Sequence, residues 1–332
     1  MQRLKTNALC NKKNRLNRSE LAVPAVRHEF FEKAAKSKAD AIFLDLEDSI
    51  SVDQKDKARK LAVEAINDVD WGKKIISVRT NAYDTSFFKE DLEFILRKSS
   101  ERLDLLMIPK CEKAENIVEI DKLISATESK LKRKKKIGFE LIIETALGLI
   151  NIEKIAASCI RNETLHFGSA DLASSLRAKT TSIGGINRKY GVLEENDDDS
   201  KRHFYLNDMW HFALFKIVLT AHAYGLRAID CPFGDFSDEL GFNHAAMSSY
   251  TMGFDGKMVI HPSQIKLSNK IFAPTEKEIL EAKEILVQMK LAEKKGQGAI
   301  AFNGKLLDIV SIKQAQNIVR IDNMIKNDRN DL

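Results

Sequence analysis

Two acidic residues, Glu144 and Asp171, follow consecutive apolar runs and could together hold a cation or a proton. The runs, Gly138–Glu144 and Thr164–Phe167, are short and aliphatic, which predicts neighbouring strands. Two carboxylates that lie close together repel each other unless a proton or a cation lies between them. No cluster of histidines accompanies them, and carboxylate, water and substrate oxygens are the ligands that Mg²⁺ prefers. We therefore predict a magnesium site, with Mn²⁺ as the alternative ion.

The chemistry of this acidic pair has more than one interpretation. Paired carboxylates also act as acid and base in glycosidases, although few aromatic residues here are placed to stack a sugar. A metal ion with only two protein ligands keeps positions open for an α-keto acid, which chelates through its carboxylate and carbonyl. Arg79 could then bind a carboxylate or stabilise an enolate oxygen, while Glu47 and Asp48 could orient metal-bound water. A structural salt bridge between Arg79 and one of these two acids is the competing interpretation.

These side chains need a scaffold that brings several strand ends together. Eight short aliphatic runs recur along the chain, each followed by a segment of helical period, which predicts parallel βα units. The runs are Glu20–Pro24, Ala41–Leu46, Ile75–Arg79, Leu103–Pro109, Gly138–Glu144, Thr164–Phe167, Leu226–Cys231 and Lys257–His261. No Gly-x-Gly-x-x-Gly string follows the first run, so the pattern favours an α/β fold of the TIM (β/α)8 barrel type over a doubly wound sheet.

In such a barrel the chemistry lies at the C-terminal ends of the strands. The residues that close the eight runs are unusually polar, and their convergence on one rim indicates a functional site. They are Glu47, Asp48, Arg79, Asn81, Lys110, Glu144, Asp171, Asp230 and His261.

Two stretches do not follow the alternation of strand and helix. Lys179–Asn207, which contains the acidic run Glu194–Asp199, reads as a long loop that covers or shapes a pocket. Beyond Pro274 the pattern predicts a helix over Glu276–Ala292, a linker, a short apolar piece and a helix over Ile312–Ile325. We therefore predict a catalytic barrel domain over residues 1–273 and a C-terminal lid, or an arm exchanged between subunits, over residues 274–332.

Composition limits the class of protein. The 332 residues are 44% hydrophobic and 30% charged, which is typical of a globular domain, and no apolar run approaches the roughly 18 residues of a membrane span. Met1–Thr6 is basic but precedes no apolar run, so we expect no secretory signal and a cytoplasmic location. The net charge of +5 is modest, and its densest patch, Lys132–Lys136, reads as a solvated turn without a nucleic-acid-binding motif. We expect neither a membrane nor a nucleic acid as a partner.

The four cysteines predict neither a zinc site nor a disulfide framework, because they lie far apart and form no Cys-x-x-Cys pair. They are Cys10, Cys111, Cys159 and Cys231.

Several strings along nearly the whole chain resemble the citrate lyase beta subunit superfamily, the HpcH/HpaI aldolases. They are Arg18–Ala25, Leu44–Ser49, Val78–Asn81, Ile108–Lys110, Ile143–Ala146, Phe167–Leu172 and Ile260–Gln264. Further strings resemble the malyl-CoA and beta-methylmalyl-CoA lyase branch of that superfamily. They are Lys179–Gly185, Tyr190–Leu193, Asp208–His211, His222–Ala228 and Pro232–Asp235.

The resemblance implies a TIM barrel in a homotrimer or homohexamer, with Glu144 and Asp171 as magnesium ligands and Arg79 on the substrate oxygens. It also implies a catalytic carboxylate in the C-terminal arm, where the matching string Gly304–Asp308 makes Asp308 the candidate base over a neighbouring subunit's barrel. Without the resemblance, Asp308 reads as an acid at a helix N-terminus.

The implied reaction is a reversible Claisen cleavage of malyl-CoA or beta-methylmalyl-CoA to glyoxylate and acetyl-CoA or propionyl-CoA. Coenzyme A is expected across the rim, with Arg18 and Arg27 near its phosphates at the catalytic end of the first strand. Ser169, the stretch Ile186–Lys189 and the string Ile260–Gln264 depart from the malyl-CoA lyase pattern. Citramalyl-CoA cleavage to pyruvate and malyl-CoA hydrolysis therefore remain alternatives.

Overall fold

The computed structural model describes residues 15–180, 182–195 and 202–329 of the chain. The chain divides into two compact units, Met1–Asn269 and Lys270–Leu332. The segment Met1–Thr6, Cys10, Thr181 and residues 196–199 of the predicted acidic run lie outside the described residues.

The first unit is a closed barrel of eight parallel strands, which confirms the predicted fold class. Its strands are β1 (Ser19–Pro24), β2 (Ala41–Asp45), β3 (Ile75–Arg79), β4 (Leu105–Ile108), β5 (Gly138–Ile143), β6 (Asn162–Phe167), β9 (Arg227–Asp230) and β10 (Gly256–Val259). They neighbour one another in the order β1-β10-β9-β6-β5-β4-β3-β2, and β1 also pairs with β2 to close the barrel. Each observed strand overlaps one of the eight predicted runs.

Aliphatic sequence forms these strands because both of their faces are buried, as parallel sheets require. All four residues of β4 and all six of β5 are buried. Residues from five strands meet inside the barrel as one apolar cluster, since side chains that alternate along each strand point inward together. The cluster consists of Phe43, Met107, Ile142, Ile229 and Met258, with Ala22 packed against it.

Helices surround the barrel and connect its strands. They are α1 (Phe31–Lys36), α2 (Lys55–Asp68), α3 (Phe87–Lys98), α4 (Ala114–Lys130), α5 (Ala146–Ala157), α6 (Ser169–Ser175), α7 (His211–Ala223), α8 (Glu239–Met252) and α9 (Pro262–Ile271). Among the described residues, no helix is long and apolar enough to span a bilayer.

The predicted long loop over Lys179–Asn207 contains a short hairpin that the sequence does not predict. Two short strands, β7 (Gly191–Leu193) and β8 (Phe204–Leu206), pair antiparallel within it. Three-residue strands carry too little alternation to be recognised in a sequence.

A fully buried polar cluster lies inside the barrel. His166 Nε2 is 2.8 Å from the Glu20 carboxylate, and His166 Nδ1 is 3.0 Å from the Thr164 hydroxyl. One carboxylate oxygen each of Glu20 and Glu140 and one ring nitrogen of His166 lie within 4.8 Å of one another. Burial, and then the charge of Glu20, raises the pKa of Glu140 to about 8. Glu140 is therefore expected to carry a proton at neutral pH.

The second unit contains two helices and a hairpin. Helix α10 (Glu276–Glu293) begins with a capping box formed by Thr275 and Glu278, and α11 (Ile309–Arg329) packs against it. Strands β11 (Ile300–Phe302) and β12 (Lys305–Leu307) pair antiparallel between the helices. The first predicted helix of this unit matches α10, and the predicted apolar piece is the hairpin. The last helix begins at Ile309, three residues before its predicted start at Ile312.

Candidate active site

Glu144 directly follows β5 and points its carboxylate into the rim, where the side chain is only 3% exposed. The main-chain N–H of Lys110, after β4, donates a hydrogen bond of 2.7 Å to Glu144 Oε1. Burial raises the pKa of Glu144 to about 8, and the negative charges of Asp171 and Glu47 add to the rise. The protein thus holds this carboxylate where its charge is unfavourable unless a proton or a cation accompanies it.

The loop from β6 to α6 is shaped to leave room for Glu144. A Cβ at Gly168 would lie 2.4 Å from Glu144 Oε2, so only glycine fits this position without displacing the carboxylate. The sequence predicts Asp171 at the end of β6. In the structure it lies in the first turn of α6 instead. Its side chain is one-third exposed and lies at the same rim, with Oδ1 3.6 Å from the Lys110 ammonium.

Arg79, the last residue of β3, is clamped by Asp45, the last residue of β2. Its Nε and one terminal nitrogen lie 2.7 and 2.8 Å from the two Asp45 carboxylate oxygens, a bidentate pair. Burial alone would raise the pKa of Asp45, but the charge and hydrogen bonds of Arg79 lower it to about 2. The remaining terminal nitrogen lies 3.3 Å from Glu47 Oε2 and 3.8 Å from Asp48 Oδ2. One corner of the guanidinium therefore faces the acids of the rim.

Glu47 and Asp48 lie in the turn after β2. Glu47 is 5% exposed, and burial raises its pKa to about 7 against the opposing charge of Arg79. The Lys110 ammonium donates a hydrogen bond to Glu47 Oε1 and lies 3.5 Å from Asp48 Oδ1 and 3.6 Å from Asp171 Oδ1. The turn itself is fixed by Lys55, whose ammonium donates to the main-chain carbonyls of Leu46 and Glu47 at 2.8 and 2.7 Å.

The charges named at this rim do not balance. Five carboxylates converge, from Asp45, Glu47, Asp48, Glu144 and Asp171, against three cations, Lys55, Arg79 and Lys110. Buried and half-buried carboxylates without enough cations raise one another's pKa values or take up a metal ion. An all-oxygen donor set with excess negative charge fits Mg²⁺.

Other polar residues of the predicted rim have structural partners. Asp91 accepts hydrogen bonds from both the main-chain and side-chain nitrogens of Asn81, at 2.9 and 2.6 Å. Asp230 forms a buried ion pair of 2.5 Å with Lys257. The half-buried His261 ring stacks on Phe236, with the ring centroids 4.6 Å apart. Position at a strand end alone therefore does not identify a functional residue.

The two arginines predicted to face coenzyme A lie at opposite ends of β1. Arg18 precedes β1, which is the end of the barrel away from the catalytic rim, so its predicted placement was wrong. It is 7% exposed, and its guanidinium forms hydrogen bonds of 2.8 and 2.7 Å with Asp40. Arg27 follows β1 at the rim, its side chain is 52% exposed, and it lies over the Phe30 ring. Of these two arginines, Arg27 is the one at the rim end of β1.

Asp308 belongs to the second unit and caps helix α11. Its Oδ1 accepts hydrogen bonds from the main-chain N–H groups of Val310 and Ser311, at 2.8 and 3.2 Å. This matches the interpretation of Asp308 as an acid at a helix N-terminus.

The sequence places Lys110 among the polar residues of the predicted rim without a specific role, and it does not single out Asp45. Both residues stand in the strings that carry the resemblance, Asp45 at the end of β2 and Lys110 just after β4. Their partners lie 34 and 63 residues away along the chain, so the pairing could not be read from spacing.

The HpcH/HpaI aldolase/citrate lyase family matches residues 18–262. The chain is 44% identical over 311 residues to the L-malyl-CoA/beta-methylmalyl-CoA lyase of Cereibacter sphaeroides, covering 94% of this chain and 96% of that protein. It is 35% identical over 287 residues to the malyl-CoA/beta-methylmalyl-CoA/citramalyl-CoA lyase of Chloroflexus aurantiacus, covering 86% and 81%. The crystal structure of CitE from Mycobacterium tuberculosis in complex with magnesium, acetoacetate and coenzyme A superposes with a TM-score of 0.69 at 26% identity, covering 92% and 97%. The predicted resemblance is confirmed, and the chain is a lyase of the HpcH/HpaI aldolase/citrate lyase family.

Proposed function

We propose that this protein catalyses the Mg²⁺-dependent, reversible cleavage of L-malyl-CoA and beta-methylmalyl-CoA to glyoxylate and acetyl-CoA or propionyl-CoA. The observation that carries the proposal is the excess of carboxylates around Glu144 and Asp171, beside a guanidinium held rigidly by Asp45. The 44% identity to a lyase of that name supports the choice of substrate.

Glu144 and Asp171 are the proposed magnesium ligands, and Glu47 and Asp48 are proposed to orient the ion's water molecules. Mg²⁺ held there would supply Lewis-acid chemistry to a keto acid that chelates it through a carboxylate and a carbonyl oxygen. Glu144 suits this role because its carboxylate is buried, aimed by the Lys110 N–H and otherwise short of positive charge.

Arg79 is proposed to stabilise the negative charge that develops on the thioester oxygen of the acyl-CoA enolate. Asp45 uses Nε and one terminal nitrogen, which leaves the other terminal nitrogen to donate toward the rim. A guanidinium fixed in this way needs little reorganisation as the charge forms, which is the condition for effective electrostatic catalysis.

Asp308 is the proposed base, which would exchange a proton with the α-carbon of the acyl group. In this proposal the second unit is a lid or arm that brings Asp308 over a neighbouring subunit's barrel, within a homotrimer or homohexamer. Arg27 is proposed to contact the phosphates of coenzyme A, because it is exposed at the rim end of β1. The cytoplasmic location expected from the sequence is part of the same proposal.

A direct test supplies the purified protein and Mg²⁺ with malyl-CoA, beta-methylmalyl-CoA and citramalyl-CoA, and measures glyoxylate, pyruvate, free coenzyme A and acyl-CoA separately. Glyoxylate with acetyl-CoA or propionyl-CoA, lost on adding EDTA, is the expected result. Pyruvate as the main product would favour the citramalyl-CoA activity that the Chloroflexus aurantiacus relative's name includes. Malate with free coenzyme A would make the protein a thioesterase and refute the proposal.

A further inference from the structure

Lys110 has a main chain in an uncommon conformation at the centre of the rim. It follows β4 with a φ of 50°, in the left-handed region that residues other than glycine seldom adopt. Such conformations persist where the surroundings hold them, and they concentrate at functional sites. Here the conformation directs the main-chain N–H to Glu144 Oε1 at 2.7 Å.

The side chain of Lys110 meets a different set of acids. Its ammonium donates to Glu47 and lies 3.5 Å from Asp48 and 3.6 Å from Asp171. These carboxylates come from the turn after β2 and from helix α6, so one ammonium joins two segments that no strand pairing connects. Burial opposes the charge of Lys110, yet the hydrogen bond and the charges of these acids raise its pKa well above its usual range.

The ammonium therefore occupies the centre of a group of acids that includes a proposed magnesium ligand. A cation at this position stabilises the metal-free protein, because it reduces repulsion among the carboxylates. The same positive charge opposes a second cation only a few ångströms away. Removing the charge should therefore lower the stability of the metal-free protein and raise its affinity for a divalent ion. Each effect can be measured separately.

We propose that Lys110 is a positioning residue with two separate functions. Its main-chain N–H aims Glu144, and its ammonium is a built-in counter-cation that holds Glu47, Asp48 and Asp171 in place and competes with the divalent ion for their charge. This inference rests on the proposed function, since it takes Glu144 and Asp171 as the metal site.

The test uses Lys110→Met, which removes the charge and retains most of the side-chain length. Lys110→Asn is a second uncharged variant that tolerates a positive φ, in case the first folds poorly. Lys110→Arg restores the charge. Lys113→Met is the matched control, because Lys113 is exposed and lies just before α4.

Two readouts are measured on EDTA-treated protein. By isothermal titration calorimetry, both uncharged variants should bind Mg²⁺ about tenfold more tightly than wild type or more, and tenfold corresponds to about 1.4 kcal/mol. Lys110→Arg and Lys113→Met should stay close to wild type. In thermal unfolding with EDTA, both uncharged variants should melt below wild type and Lys113→Met, and saturating Mg²⁺ should remove most of that difference.

Equal or weaker Mg²⁺ binding by both uncharged variants would overturn the competition between Lys110 and the metal. Unchanged melting in EDTA would overturn the counter-cation function. Wild-type protein that binds no Mg²⁺ at all would instead refute the proposed function. In that case a lower melting temperature of the uncharged variants in EDTA still supports the counter-cation function, and an unchanged one still overturns it.

Discussion

Replacing Glu140 by glutamine should remove a pH-dependent instability from the interior of the barrel. Glu140 is fully buried, and its pKa is raised to about 8, first by burial and then by the charge of Glu20. The Ser77 hydroxyl and the Glu20 carboxyl are its hydrogen-bonding neighbours. Glutamine has nearly the same shape as the protonated acid but cannot ionise, so it removes the titration of Glu140 and leaves that of Glu20, whose pKa burial raises to about 7.

The sign follows from linkage. A carboxyl whose pKa is raised in the folded state binds its proton more tightly there, so its contribution to stability is complete below pH 4.5 and is lost as the pH rises through 8. With an unfolded pKa of 4.5, the free energy lost between pH 5 and pH 9 is about 4 kcal/mol. The positive charge of Arg227 lowers the pKa of Glu140, and His166, whose own pKa is lowered to about 4 by burial, is neutral over this range.

The assay is urea unfolding of wild type and Glu140→Gln at pH 5, 7 and 9, with Glu153→Gln, an exposed acid on α5, as the control. The stability of Glu140→Gln relative to wild type should increase by about 4 kcal/mol between pH 5 and pH 9, while the control stays parallel to wild type. A difference between Glu140→Gln and wild type that does not change with pH would refute the inference that Glu140 is protonated in the folded protein.

Three further predictions concern the rim and the second unit. Asp308→Asn should abolish turnover but leave folding and Mg²⁺ binding intact, since asparagine caps a helix as well as aspartate does; near-normal turnover would remove Asp308 from the mechanism. Asp45→Asn should lower kcat by about tenfold or more while Mg²⁺ affinity changes little, because it loosens Arg79; unchanged kcat would show that the clamp is not needed. Glu144→Gln should weaken Mn²⁺ binding by about tenfold or more, measured by calorimetry, and retained affinity would place the metal elsewhere.

The sequence by itself determined the barrel and the polarity of its rim. Runs such as Ala41–Leu46 and Ile75–Arg79 differ from the observed strands by at most one residue. A strand buried on both faces must be aliphatic over its whole length, so the pattern is strong and local. The order and spacing of the family strings added the proposed roles of Glu144, Asp171 and Arg79, which periodicity alone left open.

Only the tertiary structure decided which charges meet. The competing interpretation paired Arg79 with Glu47 or Asp48, and Arg79 does lie 3.3 Å from Glu47, but its bidentate partner is Asp45, one strand away. Arg18 lies at the opposite end of β1 from the rim, because it precedes the strand and pairs with Asp40. Side-chain partners of this kind depend on strand register, barrel closure and loop conformation, and these physical properties leave no local pattern in the sequence.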